Sequence, residues 1–338
     1  MSVQDFQPFQ KGLEAKRRNV TEFLETAPKS KVEMCCADTS NAQAHLQVIE
    51  DALRKTGDRT LGICELCQEY VEPRWLEMDY TASICLDHMS ETERRSLEAE
   101  LELSRMVQRA LLPQIVPAIP GAELAAFSRP AEIVGGDYFD FFQYRGGGQG
   151  LVIADIPGHG VSAGMLMSSL QAAIRTLAPE KDSPAEILEH INRFYIHNIH
   201  FTTFVTVFLA SYNPQTRSLN YANSGHNPPA IVRRSDSGVT WLKPTAPAIG
   251  LSEEYHPRME RVSLARGDVL FMYTDGVTEA VDPGGNQYGS VKLVEALIRS
   301  LDLRPEEMIR LVRTELEAFV GDYPIQDDTT FIALKIMD

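Results

Sequence analysis

Ile133-Val-Gly-Gly-Asp-Tyr-Phe-Asp-Phe-Phe-Gln-Tyr-Arg-Gly-Gly-Gly-Gln-Gly-Leu-Val-Ile-Ala-Asp155 reads as a β-hairpin. Aromatic and β-branched runs at 138–144 and 150–154 favour strands, and Arg145-Gly-Gly-Gly-Gln149 between them supplies the turn. The second strand of a hairpin ends beside the start of the first, so Asp137 and Asp155 meet at its open end. A similar arrangement recurs downstream. Asp275 closes the strand-like run 268–274, and Asp327 and Asp328 open the run 329–336. If those two strands are antiparallel neighbours, these carboxylates also converge.

Carboxylates held this close repel one another unless cations intervene. Four of them around two divalent ions are locally neutral, and oxygen-only ligands select Mg²⁺ or Mn²⁺. Two such ions about 3.5–4 Å apart commonly activate water for hydrolysis of phosphate esters. Turns favour Asp for unrelated reasons, so spacing alone leaves the two readings level.

Working outward, strand-like runs at 203–212, 218–223, 229–234 and 239–242 are separated by short turns, while helical patterns fall at 162–178, 184–199, 290–301 and 305–320. Strands joined by turns and helices arriving in blocks predict an α+β fold of antiparallel sheets covered by helices. Upstream, Ser90 to Leu112 reads as one long charged helix opened by the capping box Ser90-Glu-Thr-Glu93 and closed by Pro113. The expected organisation is a helical region 1–60, a cysteine module 61–89, a linker helix 90–112 and a catalytic domain 113–338.

Lys and Arg total 32 against 47 Asp and Glu, a net charge of −15 over 338 residues. That balance disfavours a protein that coats nucleic acid by neutralising phosphates. No run approaches the roughly 18 apolar residues of a membrane span, and the first twenty residues contain no apolar signal-peptide core. The expectation is a cytoplasmic protein with no membrane partner.

All five cysteines lie between Cys35 and Cys85. Cys64-x₂-Cys67, then 17 residues, then Cys85-x₂-His88 has the spacing of a tetrahedral Cys₃His structural zinc site. Unligated thiols are the alternative. Cys35 and Cys36 fall outside that spacing and are read as free thiols.

Five motifs follow in order: Ile133-Val-Gly-Gly-Asp-Tyr-Phe-Asp140, Ile153-Ala-Asp-Ile-Pro-Gly-His-Gly160, Tyr221-Ala-Asn-Ser-Gly-His-Asn-Pro-Pro229, Tyr273-Thr-Asp-Gly-Val-Thr-Glu-Ala280 and Gln326-Asp-Asp-Thr-Thr330. Together they resemble the bacterial metal-dependent serine/threonine phosphatases of the SpoIIE and RsbU type, over about residues 105–338. The resemblance implies an αββα sandwich with a two-metal site between the sheets. It implies that Asp155 bridges both metals, that Asp137, Asp275 and Asp327 complete the coordination, and that the Ile156 carbonyl ligates one ion. It implies attack by a metal-activated water on phosphorus, without a phosphoenzyme. The implied substrate is a phosphoserine or phosphothreonine on an anti-sigma-factor antagonist. Asp328, Gly158, His159 and His226 are left with loop or substrate roles. His159 is read first as ordering its loop and second as a general acid, and His226 first as stabilising a turn. Pro157 departs from the pattern, which usually has a small residue or Met there, but it removes no carboxylate.

Two rivals compete with this reading: a transcription-associated binding protein with an inert phosphatase fold, and a small-molecule phosphodiesterase. All four carboxylates are retained, against the first. The Gly-His-Asn-Pro-Pro and Thr-Asp-Gly-Val motifs count against the second.

Residues 62–88 also resemble the TraR/DksA zinc finger, with His88 where that family most often has a fourth Cys. Those relatives bind RNA polymerase through an acidic coiled-coil tip. No such tip is legible here, so polymerase binding does not carry over. On the linker helix, Leu97, Leu101, Ser104, Gln108 and Leu111 form an imperfect heptad seam, and Leu103, Val107 and Ala110 a second stripe. One stripe packing on the chain's own catalytic domain is the simpler expectation. The sharper one gives the other stripe to a second copy, making a homodimer through the helix and zinc module.

Overall fold

The computed structural model describes residues 10, 13–14, 17–18, 21, 39–71, 82–158, 160–199, 204–321 and 327–337, so Cys35, Cys36 and His159 lie outside the described residues. The chain divides into two compact units, 1–100 with 199–202, and 101–198 with 203–338.

In the first unit, helix α1 (Thr39–Gly57) carries Arg54 and Lys55 in its last turn, where cations suit the negative end of the helix dipole. Ile49 and Ala52 on one face of α1 bury with Leu13 and Leu61 in a small core. Helix α2 (Glu91–Leu111) begins in this unit and from Leu101 belongs to the second. It opens on the expected capping box: the Ser90 amide donates to the Glu93 carboxylate at 3.0 Å, and the Glu93 amide to Ser90 Oγ at 3.2 Å. It stops two residues before Pro113.

The second unit contains two five-stranded antiparallel sheets. The first has the order β2 (Tyr138–Gln143), β3 (Gln149–Asp155), β4 (Thr206–Asn213), β5 (Ser218–Ser224) and β8 (Glu260–Ser263). The second has the order β1 (Ala122–Arg129), β10 (Thr329–Ile336), β9 (Val269–Tyr273), β6 (Ala230–Val232) and β7 (Val239–Trp241). Alternation along the strands sends one set of side chains between the sheets. Phe139, Phe141, Leu151, Ile153 and Phe208 there meet Leu270, Met272, Ile332 and Leu334 of the facing sheet.

The other faces are covered by helices. Phe271, Tyr273, Phe331 and Ala333 pack under α6 (Gly289–Arg299) and α7 (Pro305–Val320), through Leu293, Leu297, Met308 and Val312. Helices α3 (Gly160–Leu177) and α4 (Pro184–Asn198) lie on the first sheet. An ion pair to a buried aspartate fastens α3 there: Arg175, itself exposed, donates twice to Asp140, each at 2.6 Å, and Tyr138 adds its hydroxyl at 2.9 Å. Asp140 is therefore spent on structure. The result is the antiparallel sheets covered by helices that the pattern predicts, in the αββα sandwich that the resemblance implies. Two strands escaped that reading, β1 and β8, both at sheet edges. Among the described residues no helix is long and apolar enough to cross a membrane.

Candidate active site

β2 and β3 pair with Tyr138 opposite Ala154, so Asp137 and Asp155 occupy adjoining strand ends, as the hairpin requires. β9 and β10 pair with Tyr273 opposite Phe331, which places Asp275 and the Asp327-Asp328 pair at neighbouring ends of the facing sheet. Asp275 also begins a one-turn helix, α5 (Asp275–Thr278). Hydrogen bonds join the two sheets at this end. Asp137 Oδ2 accepts from Thr274 Oγ1 at 2.8 Å and from Thr330 Oγ1 at 2.6 Å.

Asp328 is buried and holds the loop that leads into β2. Its Oδ1 accepts from the Ala131 amide at 2.7 Å; Oδ2 accepts from Gly136 at 2.6 Å and Asp137 at 3.1 Å. Gln108 of α2 grips the same loop, its Nε2 donating to the Gly135 carbonyl at 2.6 Å and its Oε1 accepting from the Gly135 amide at 3.1 Å. The sequence showed Gln108 only as a polar break in an apolar seam.

The electrostatics are those of crowded like charges. Burial, then Asp155 and Asp328, push the Asp137 carboxyl well above its ordinary range. Asp155 is pushed up to about 8 by burial, followed by Asp275, Asp327, Asp328 and Glu279. Asp275 is raised by burial and by Glu279. Glu279 is a further carboxylate that the sequence reading did not single out. Among the described residues, the groups acting most strongly on these three are carboxylates, hydroxyls and backbone amides, with no basic side chain.

Backbone oxygens complete the surroundings. A Cβ on Gly136 would overlap the Ile156 carbonyl oxygen, so only glycine lets that carbonyl sit against the Asp137 loop. Gly158 has φ +101°, the left-handed region that favours glycine. The Gly160 amide donates to the Val134 carbonyl at 3.1 Å, tying loop 156–160 to loop 133–137. Carboxylates that act most strongly on one another, beside a backbone carbonyl, form an all-oxygen donor set that fits hard divalent cations.

His226 lies behind this end of the first sheet. Its Nδ1 shares a hydrogen bond with Thr206 Oγ1 at 2.9 Å, and Thr206 Oγ1 donates to the Asp155 carbonyl at 3.3 Å. Its own turn is closed by Asn223, which accepts from the His226 amide at 2.8 Å and donates to its carbonyl at 3.1 Å. Burial pushes the imidazole down to about 3, so it is neutral.

The first unit carries a separate cluster. Cys64, Cys67, Cys85 and His88 bring one ligand atom each to within 4.8 Å of the others. Cys64 and Cys67 lie on a tight loop closed by Cys64 N to Glu69 O at 2.8 Å and Gln68 N to Cys64 O at 2.9 Å. Cys85 and His88 bracket a 3₁₀ turn (Leu86–His88). Backbone amides of Cys67 and Cys85 hold the Cys64 thiol below its ordinary value, whereas burial and Cys64 raise that of Cys85. Three sulfurs and one imidazole nitrogen are a donor set that fits zinc.

Comparison with known proteins places this geometry. The family model for Stage II sporulation protein E (SpoIIE) matches residues 145–337. The phosphoserine phosphatase RsbU of Bacillus subtilis is 28% identical over 244 residues, 72% of this chain and 71% of its own length. Among solved structures, the SiaA-PP2C domain of Pseudomonas aeruginosa covers 73% of this chain and 99% of its own, with a TM-score of 0.63 at 22% identity. The RsbU and RsbW domains of Rv1364c from Mycobacterium tuberculosis cover 67% of this chain and 63% of their own, with a TM-score of 0.57 at 28% identity. The chain belongs to the Stage II sporulation protein E (SpoIIE) family of PP2C-type, metal-dependent serine/threonine phosphatases.

Proposed function

We propose that this phosphatase removes phosphate from a phosphoserine or phosphothreonine on a regulatory protein, an anti-sigma-factor antagonist of a partner-switching system. Similarity to RsbU, itself named a phosphoserine phosphatase, supports the substrate class. The observation that carries the chemistry is the convergence of Asp137, Asp155, Asp275 and Asp327 from four separate strand ends.

In this reading those four carboxylates and the Ile156 carbonyl would hold two Mn²⁺ or Mg²⁺ ions. When bound, the ions supply Lewis acidity and a lowered water pKa for attack on phosphorus. The chain's own contribution is orientation. Thr274 and Thr330 fix one Asp137 oxygen and leave the other free of them. Asp328 and Gln108 fix the loop from which Asp137 projects. Gly136, without a Cβ, leaves space for the Ile156 carbonyl beside the Asp137 loop.

Cys64, Cys67, Cys85 and His88 hold one structural Zn²⁺ in the same proposal, within a regulatory module that reaches the catalytic unit through α2. A homodimer would use the face of α2 that is free in the second unit. There Gln108 is buried and Leu101, Ser104 and Leu111 are half-buried, whereas Leu103, Met106 and Val107 are more than half exposed. The second stripe, not the heptad seam, is thus the one available to a partner.

The test is phosphate release from a phosphoseryl antagonist protein with Mn²⁺ and with EDTA. Release that needs the metal supports the proposal; release unaffected by EDTA contradicts it.

A further inference from the structure

A cleft of about 500 Å³ in the second unit runs outward from Asp137 and Asp328, between the end of α2 and the end of β1. Its two aspartates lie at the carboxylate cluster, and among the described residues no other acidic side chain lines it. Arg105, Arg109 and Arg129 do. Three arginines in one cleft stand out in a chain whose net charge is −15.

Each guanidinium is available for exchange. Arg105 pairs with Glu102 at 2.6 Å and Arg129 with Glu317 at 3.6 Å, and all four side chains are about half exposed. Exposed ion pairs of this kind contribute about 0–1 kcal/mol, so a better-placed carboxylate can replace the glutamates. Arg109 acts on Glu102 through space but makes no ion pair among the described residues. Guanidinium forks match carboxylates in planar, two-point geometry.

We propose that this cleft receives the acidic stretch of the substrate protein that flanks its phosphorylated residue, with Arg109 and Arg129 as the specificity-determining contacts. The proposal rests on the phosphatase reading above. A phosphoryl group at the carboxylate cluster forces the neighbouring residues of its chain to run over adjoining surface, and this cleft begins at that cluster. The rest of an acidic protein would repel an acidic partner, so local arginines are what make such a substrate tolerable. Phe127, Pro130 and Ile133 along the cleft give apolar contact between the charges.

The test uses the full chain with Mn²⁺ and two phosphoseryl peptides, one with Asp and Glu on both sides of the phosphoserine and one with Asn and Gln in their place. The readout is the ratio of the two kcat/KM values. Wild type is expected to prefer the acidic peptide by about tenfold. Arg109→Gln with Arg129→Gln should bring the ratio close to one, and Arg109→Lys should leave it between the two. A wild-type ratio near one, or a preference that survives the double substitution, overturns the proposal. Equal losses on both peptides and on p-nitrophenyl phosphate also overturn it, because they would assign the arginines to the phosphoryl group or to folding. No turnover of any of the three by wild type would instead refute the phosphatase reading, and this proposal with it.

Discussion

Gln108 and Gly135 are joined through both backbone groups of the glycine, amide and carbonyl alike. The side chain belongs to α2, and Gly135 lies two residues before Asp137, so one amide group connects the linker helix to the carboxylate loop. A buried amide left without its partner costs about 1–3 kcal/mol. Gln108→Ala is therefore expected to lower the unfolding free energy of the second unit by that amount. It should also speed amide hydrogen exchange at Gly135. Unchanged protection at Gly135 in the variant would contradict this account of the contact.

His226 sets a pH dependence. Its imidazole is depressed in the folded chain from 6.5 to about 3, so the unfolded chain binds a proton that the folded chain refuses. The stability contributed by the neutral ring is present above about pH 6.5 and is lost as pH falls towards 3. The slope is at most about 1.4 kcal/mol per pH unit. His226→Gln should flatten thermal stability between pH 6 and pH 4 relative to wild type, whatever it costs at pH 7. Identical slopes for the two proteins would rule this out.

The cysteine cluster predicts one tightly held zinc per chain. Cys64→Ser should lose it and destabilise the first unit while the sandwich keeps its exchange protection, since a structural zinc site contributes folding energy directly. Elemental analysis checks the metal, and hydrogen exchange checks where the loss falls. A zinc-free wild-type protein with residues 61–71 and 82–88 fully protected would sink the assignment.

Dimerisation should follow the exposed stripe of α2. Val107→Asp is expected to shift the protein towards monomer in light scattering at micromolar concentration, because a charge there is tolerated by solvent and not by a helix packed against it. Leu101→Asp, on the half-buried face, should reduce stability instead. A wild-type monomer, or a Val107→Asp dimer, would contradict the pairing.

The sequence carries the fold where chemistry repeats locally. Aromatic strands around a glycine turn give β2 and β3, and the acidic ends of β9 and β10 follow from the same logic. β1 was missed because Ala122-Glu-Leu-Ala-Ala-Phe-Ser-Arg129 has small residues in place of clear alternation, and it is an edge strand half-open to solvent. β8 was missed because four largely exposed residues leave no hydrophobic pattern. Glu279, Thr274, Thr330 and Gln108 are ordinary polar residues along the chain. Thr274, Glu279 and Thr330 fall within the quoted motifs and Gln108 outside them, but what each touches is decided only when two sheets and a helix bring them to one place. The linker helix shows the reverse difficulty. Both its apolar stripes were legible, but which of them is covered is decided by tertiary packing.

The most direct measurement is metal-dependent phosphate release by Asp275→Asn and Asp155→Asn beside wild type, with circular dichroism to show that both variants are folded. Each substitution removes a charge from the carboxylate cluster while keeping side-chain size. The account predicts that turnover of p-nitrophenyl phosphate and of a phosphoseryl protein with Mn²⁺ falls on the order of a hundredfold or more. Folded variants that retain near-normal turnover would contradict it.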